Sequence, residues 1–253
     1  TGGSKLTLLD GTNGKIDPSE LENKIRFSGA SGVHNVQRGA LSITNSTESG
    51  TVYSPNELKE LSKIARKFNI PVHLDGTRFA NAVVSTNSTP AELSWKAGVN
   101  ILSLGGTKNG LLSAEAVIFF DSEKAWEFQL RRKRAGHLIS KHRFLSAQMN
   151  AYFNQKLWLT LAEKSNNMAQ TLSNRLRHIS NVSINYPTQA NAVFASFPRH
   201  MHETIRKAGA QYYYWPHDPE PTGPEHEIIP ARFVCSWSTT EIEINHLLSY
   251  LRN

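Results

Sequence analysis

Two residues of complementary chemistry stand in matching settings. Asp75 lies in Ile70-Pro71-Val72-His73-Leu74-Asp75-Gly76-Thr77-Arg78-Phe79-Ala80-Asn81-Ala82, and Lys108 lies in Ile101-Leu102-Ser103-Leu104-Gly105-Gly106-Thr107-Lys108-Asn109-Gly110. Each ends a short apolar run bounded by Gly or Pro, which predicts two buried parallel strands. In open α/β sheets ligands sit beyond the carboxyl ends of the strands, where both residues fall. A lysine amine can form a Schiff base with a carbonyl, and an aspartate can keep a pyridinium nitrogen protonated. Together they suit pyridoxal phosphate, whose protonated ring is an electron sink. Gly105 and Gly106 are expected to allow close backbone approach to a ligand, and Gly110 to relieve the turn after the lysine. Singly, a surface lysine and a helix-capping aspartate would explain either residue; the ordered pair, each flanked by glycine, favours a cofactor site.

Other groups fall near this pair. Arg78 would reach the same crevice, where its fork suits a carboxylate or a phenolic oxygen, although a structural salt bridge accounts for its position equally. Thr47 and Glu48 sit at a strand end facing the crevice, suited either to holding a water for proton transfer or to stabilising the turn. His73 is expected to alternate away from Asp75 and to pack.

The positioning elements follow from start signals. Asp17-Pro18-Ser19-Glu20, Ser54-Pro55-Asn56-Glu57 and Thr89-Pro90-Ala91-Glu92 each resemble a capping box and predict helices, the third being the crossover between Asp75 and Lys108. Leu58, Leu61, Ile64 and Ala65 give the second helix its apolar face. Strands are expected at 40–44 and 114–120, and a helix at 122–134. From His142 to about Ile179 the helical period continues as one long helix or two with a break. Short strands at 182–186, 192–197, 210–215 and 232–237 follow, with helices at 201–208 and 241–251, the last capped by Ser238. A mobile, proline-rich loop is expected at 216–230. The strand–helix–strand order marks an α/β fold with a mainly parallel central sheet flanked by helices, followed by a smaller α+β domain. The expected boundaries are 1–135 for a cofactor-binding domain and 136–253 for the bridging helix and the small domain.

The chain has 253 residues, 39% hydrophobic and 19% charged, enough to bury a substantial core. No run of about 18 apolar residues exists, so no transmembrane helix is expected. The single cysteine, Cys235, cannot form an internal disulfide and fits a reducing, cytoplasmic setting; its apolar neighbours predict inert burial. The net charge of +7 is densest at Arg131-Arg132-Lys133-Arg134, followed by Lys141, His142 and Arg143. No stacking aromatics interleave with that run, which argues for a solvated face over a nucleic-acid partner. No metal site is expected.

The strings His73 to Ala82 and Ser103 to Gly110 resemble the two cofactor signatures of the low-specificity threonine aldolases and related phenylserine aldolases, in the aminotransferase-like superfamily of pyridoxal phosphate enzymes. Thr47 to Tyr53 and Arg131 to Leu145 are also in the family's style. The resemblance implies pyridoxal 5'-phosphate as cofactor, with Lys108 as the Schiff-base lysine, Asp75 on the pyridine nitrogen and Arg78 beside them. It further implies Arg232, in Ile229-Pro230-Ala231-Arg232-Phe233-Val234, as a second arginine on the substrate α-carboxylate, and His34 as the base near the β-hydroxyl. The implied reaction is retro-aldol cleavage of an amino-acid substrate to glycine and an aldehyde. β-Elimination, transamination or an inactive scaffold are the alternatives. Family members form homodimers or homotetramers, and cations of the basic run could reach a cofactor phosphate across such an interface. Members also carry a segment ahead of the residue numbered 1 here, with a glycine-rich phosphate loop; the chain is therefore expected to be an aldolase incomplete at its start.

Overall fold

Prolines and capping side chains set where the first helices begin. In this computed structural model, which describes residues 3–29 and 32–252, the chain first doubles back as β1 (Gly11–Thr12) and β2 (Lys15–Ile16). Asn13 and Gly14 between them have φ of 55° and 77°, the two positive values a type I′ hairpin requires. α1 (Pro18–Phe27) is capped by Asp17, whose carboxylate accepts the Ser19 and Glu20 amides at 2.9 Å each. Glu20 does not complete the expected box; it faces Lys24, 3.8 Å away. β3 (Leu41–Thr44) leads to α2 (Pro55–Lys67), where the box is complete: the Glu57 amide donates to Ser54 Oγ at 3.3 Å and the Ser54 amide to Glu57 Oε2 at 2.7 Å.

β4 (Val72–Gly76), α3 (Phe79–Thr86), β5 (Ile101–Gly105) and β6 (Glu115–Phe119) follow. The sheet order is β3-β4-β5-β6; the first three strands are parallel, and β6 runs antiparallel to β5. The crossover helix is α3, not the segment from Thr89. The Thr89–Glu92 box does form, with the Thr89 amide 2.9 Å from Glu92 Oε2. Ser94 Oγ then turns back to the Pro90 carbonyl, and Gly98 at φ 95° ends the segment after one 3-10 turn, Trp95–Ala97. α3 escapes a periodicity reading because Phe79, Ala80, Asn81, Ala82 and Val83 are all buried, leaving no polar stripe. Its one polar residue among these is clasped: Asn81 Nδ2 donates to Ser165 Oγ and Asn166 Oδ1, each at 2.9 Å.

One face of this sheet, with Leu41, Ile43, Val72, Leu74, Leu102 and Leu104, packs in a core with Leu58 and Leu61 of α2 and Phe79 of α3. The other face carries Ser42, Thr44, His73, Asp75 and Ser103. His73 therefore shares the face of Asp75 instead of alternating away, because residues two apart in a strand point the same way. Its ring is held by Ser42 Oγ at Nδ1 and Ser103 Oγ at Nε2, each 2.9 Å.

α4 (Ala125–Arg134) and α5 (Arg143–Phe153) precede α6 (Leu157–Leu176), and the expected break falls between the last two, where Gln155 and Lys156 have φ of 50° and 60°. Trp158 and Ala162 of α6 belong to the first core; Ala169, Leu172 and Leu176 belong to a second. That second core lies under an antiparallel sheet of order β7-β8-β10-β9, made of β7 (Ser183–Ile184), β8 (Ala192–Pro198), β9 (Tyr213–Tyr214) and β10 (Ile228–Val234). α7 (Arg199–Lys207) follows β8, and α8 (Glu241–Leu251) ends the described chain.

Two expectations shift here. β10 starts at Ile228, so the loop ends near Glu227, and Arg232 stands inside the strand instead of at its start. Pro230 is tolerated because β9 pairs only with Ala231 and Arg232, leaving no ladder partner for the missing N–H. α8 is capped by Thr240 with Glu243, two residues later than Ser238 with Glu241; both pairs fit the same spacing, but Ser238 is engaged in a turn with Ser236. Cys235, just past β10, is buried, and burial pushes its thiol up to about 12.

Candidate active site

Lys108 sits in the 3-10 turn Thr107–Asn109 that follows β5. That turn is anchored on both sides. Before the lysine, the Glu115 carboxylate accepts the Gly106 amide at 3.0 Å and the Thr107 amide at 3.2 Å. After it, buried Asn109 donates through Nδ2 to the Tyr152 hydroxyl at 2.6 Å and to the Trp158 carbonyl at 2.8 Å. Tyr152, whose hydroxyl burial pushes up to about 12, donates in turn to the Gly105 carbonyl. Lys108 itself is exposed and has no hydrogen-bond partner among the described residues.

The glycines serve this turn differently from expectation. A Cβ at Gly105 would stand 2.3 Å from the Thr77 carbonyl, and one at Gly106 would stand 2.5 Å from the Ala114 carbonyl. The close approach is thus to the chain itself, pressing the Lys108 turn against the turn that follows Asp75.

At the tip of β4, Asp75 Oδ1 accepts the Thr77 amide at 3.0 Å and the Thr77 hydroxyl at 2.6 Å. Its second carboxylate oxygen has no partner among the described residues. The Asp75 carbonyl accepts the Asn45 amide at 2.9 Å. Asn45 also holds the Tyr53 backbone, with the Tyr53 amide 3.1 Å from its Oδ1. The loop carrying Glu48 is thereby fixed to the end of β4.

Arg78 and Arg232 complete the group. Burial, and then the like charge of Arg232, pushes the Arg78 guanidinium below its ordinary value, while Glu48 and Asp75 oppose this. Arg78, the N-cap of α3 just past β4, therefore lies within electrostatic range of Arg232 in β10 and of the Glu48 and Asp75 carboxylates. Both Nε atoms are buried without a partner. A buried, charged donor left unsatisfied costs about 1–3 kcal/mol or more, which an acceptor such as a carboxylate would relieve. The Arg232 guanidinium lies 4.9 Å from the Trp215 ring centre and 5.8 Å from that of Phe194.

His34 ends the exposed turn Gly32–His34 upstream of β3, and no hydrogen bond or ion pair among the described residues joins it to Asp75, Arg78, Lys108 or Arg232. Arg38, four residues on, ties this segment to the carbonyls of Ile25 and Ser28 at the end of α1. In the basic run, Arg131 pairs with Glu127 at 2.8 Å and Arg132 reaches His142 Nε2 at 2.8 Å. Sequence reasoning passed over Glu115, Asn109, Tyr152 and Trp215. For Glu115 a signal existed: a strand starting ten residues after Gly105 is close enough for an antiparallel return.

The family model described as beta-eliminating lyase matches residues 1–198. The low specificity L-threonine aldolase of Pseudomonas sp. (strain NCIMB 10558) is 36% identical over 250 residues, covering 99% of this chain and 69% of that protein. Among solved structures, the threonine aldolase of Leishmania major matches with a TM-score of 0.87 at 24% identity, over 98% of this chain and 70% of its own. Oryza sativa TDC with PLP and tryptamine matches with a TM-score of 0.67 at 16% identity, over 95% of this chain and 54% of its own. The two structural likenesses give the fold, an α/β architecture shared with a pyridoxal phosphate protein. The family match and the 36% identical relative give the kinship: this chain belongs to the beta-eliminating lyase family.

Proposed function

We propose that the chain is a pyridoxal phosphate-dependent aldehyde-lyase that cleaves L-threonine, L-allo-threonine and related β-hydroxy-α-amino acids such as phenylserine to glycine and an aldehyde. The aldolase names of its relatives support the reaction. The observation that carries the reading is the convergence of Arg78 and Arg232, each with an unpaired buried Nε, beside Asp75 and Glu48.

The residues fit the cofactor. Asp75, with one oxygen bound by Thr77 and the other open, would hold the pyridine nitrogen, and the exposed Lys108 amine on its anchored turn would hold the aldehyde carbon. When bound, pyridoxal phosphate supplies an electron sink for the pair released as the Cα–Cβ bond breaks. The remaining work belongs to the chain. Arg78 and Arg232 bind the α-carboxylate and thereby set the orientation of the Cα substituents. Asp75 would keep a proton on the ring nitrogen by its charge, and the Lys108 amine, when free, would carry a proton to Cα. His34, at the end of its exposed turn, is the base proposed for the β-hydroxyl proton. Glu48, within reach of Arg78's charge, is the carboxylate this group itself presents for holding a water in that transfer.

A cytoplasmic homodimer or homotetramer completes the proposal, supported by the single buried cysteine and by the exposed Trp126, Leu130, Leu138, Ile139 and Phe144 of α4, α5 and the segment between them. Incubation with threonine or phenylserine tests the reaction. Glycine with acetaldehyde or benzaldehyde is expected, whereas ammonia and a keto acid would replace the reading with β-elimination. Absence of an absorbance band on adding pyridoxal phosphate, or a band unchanged in Lys108→Ala, would overturn the cofactor assignment.

A further inference from the structure

The aromatic surround of Arg232 is built, not incidental. Phe194 on β8 is the register partner of Arg232 on β10, and its ring meets that of Trp215 edge to face at 5.6 Å and 67°. Trp215 is tied to the arginine's own strand, its amide donating to the Pro230 carbonyl at 3.0 Å. The loop that leaves Trp215 is fastened at its far end, where Arg199 Nε donates to Glu227 at 3.0 Å and Arg199 Nη1 to the Glu220 carbonyl at 3.1 Å. On the other side of Phe194 lies the loop carrying Glu48, for a Cβ at Gly50 would stand 3.1 Å from the Phe194 ring. One pair of rings therefore connects the guanidinium, the Glu48 loop and the 216–227 loop.

A guanidinium lying on aromatic faces keeps its charge, sheds water from that side and loses rotational freedom, while its in-plane donors remain available. Phe194 is buried in the sheet, whereas Trp215 is only partly buried at the start of the loop. We propose that Trp215 is a positioning residue for the substrate carboxylate, acting through Arg232: its indole face holds the guanidinium in the plane from which Nε can reach the carboxylate. This rests on the reading of Arg232 as a carboxylate ligand. Trp215 contributes to binding and orientation of the amino acid and takes no part in bond breaking.

The test uses the pyridoxal phosphate-loaded enzyme with Trp215→Leu, Trp215→Phe, Arg232→Lys and the Trp215→Leu/Arg232→Lys double variant. KM and kcat for threonine are measured beside equilibrium binding of glycine, followed by the change in cofactor absorbance. Trp215→Leu is expected to raise both KM and the glycine dissociation constant about tenfold, a typical loss for a desolvated cation–π contact, with kcat and the cofactor spectrum unchanged. Trp215→Phe, which keeps a ring, is expected to recover most of the loss. In the Arg232→Lys background Trp215→Leu should add less than about twofold, because an ammonium cannot use the flat support. Trp215→Leu with unchanged glycine affinity, or losses that multiply in the double variant, would overturn the proposal while Arg232→Lys still weakens binding. Unchanged glycine affinity in Arg232→Lys would instead remove the carboxylate reading beneath it, and the proposal with it. Should Trp215→Leu fail to fold, Trp215→Met takes its place in both backgrounds, and unchanged glycine affinity in Trp215→Met would overturn the proposal.

Discussion

Arg78, at the start of α3, and Arg232, within β10, lie within reach of each other's charge, and each buries an Nε that no described residue accepts. Arg78 feels the charges of Glu48 and Asp75 as well as that of Arg232, yet neither carboxylate accepts from either Nε, and the proposed function puts the substrate carboxylate on these two arginines. Removing one should therefore separate function from stability. Arg232→Ala is expected to lower kcat/KM for threonine by roughly 10²–10³-fold, the loss of a charge-assisted pair at about 3–4 kcal/mol. The melting temperature should stay level or rise, since the mutual repulsion is relieved. A fall in melting temperature with intact kcat/KM would reassign Arg232 to a structural pair.

Asp75→Asn tests the carboxylate's charge apart from its shape. An amide oxygen at the same position still accepts from Thr77, so the β4 tip should keep its fold and the melting temperature should move little. The negative charge that would hold a proton on the ring nitrogen is gone. Activity is expected to fall by at least about 10²-fold, with weaker cofactor retention, because neutralising a desolvated charge pair removes several kcal/mol. Spectra taken with added pyridoxal phosphate, and glycine release from threonine, check both halves; retained activity would sink the assignment.

The Lys108 turn gives a prediction about the anchors instead of the amine. Asn109 donates two hydrogen bonds in a buried setting, and its replacement by Ala leaves the Tyr152 hydroxyl and the Trp158 carbonyl short of a donor. A loss of about 2–3 kcal/mol in stability is expected, read by urea unfolding. Glu115→Gln keeps one oxygen for the Gly106 or Thr107 amide and should cost less than Glu115→Ala, which loses both. If the two Glu115 variants retain wild-type cofactor absorbance and glycine release, the clamp does not matter to the lysine.

How much of this was legible in the chain depends on the range of the interaction that fixes each part. The ends of β4 and β5, with Asp75 and Lys108 beyond them, follow from local runs and glycines, and the structure keeps both at neighbouring strand tips. The Thr89 box was also read correctly as a set of hydrogen bonds, yet no helix grows from it, because tertiary burial selects the stripe-free α3 instead. The His73 error is one of period: alternation puts it on the Asp75 face, where Ser42 and Ser103 hold it. Arg232 was found only through resemblance, since its partners Arg78, Trp215 and Phe194 are brought by the packing of two sheets. No local pattern encodes such a meeting. His34 ends an exposed turn, and nothing local to its loop indicates which groups it would serve.

The second core supplies a pH dependence whose sign can be worked out. His202 is fully buried, its ring stacked on Phe197 at 3.7 Å, with Nδ1 2.8 Å from the Tyr212 hydroxyl and Nε2 3.0 Å from the Ile229 carbonyl. That pattern fits the neutral ring, with Nε2–H donating to Ile229 and Nδ1 accepting from Tyr212. Burial first, with Arg206 and Arg199 adding to it, lowers its pKa from 6.5 to about 4. Between those values the unfolded chain binds the proton and the folded chain does not, so stability rises with pH across that window. The contribution is fully present above about pH 6.5 and is lost progressively as pH falls towards 4, amounting to about 3 kcal/mol at the lower end. Urea unfolding at pH 7.5, 6 and 4.5 should show this loss in the wild type. In His202→Gln, whose amide can donate to Ile229 and accept from Tyr212 without titrating, the slope should be shallower by that amount. Equal slopes in the two proteins would show that other groups, and not this histidine, carry the acid sensitivity of the fold.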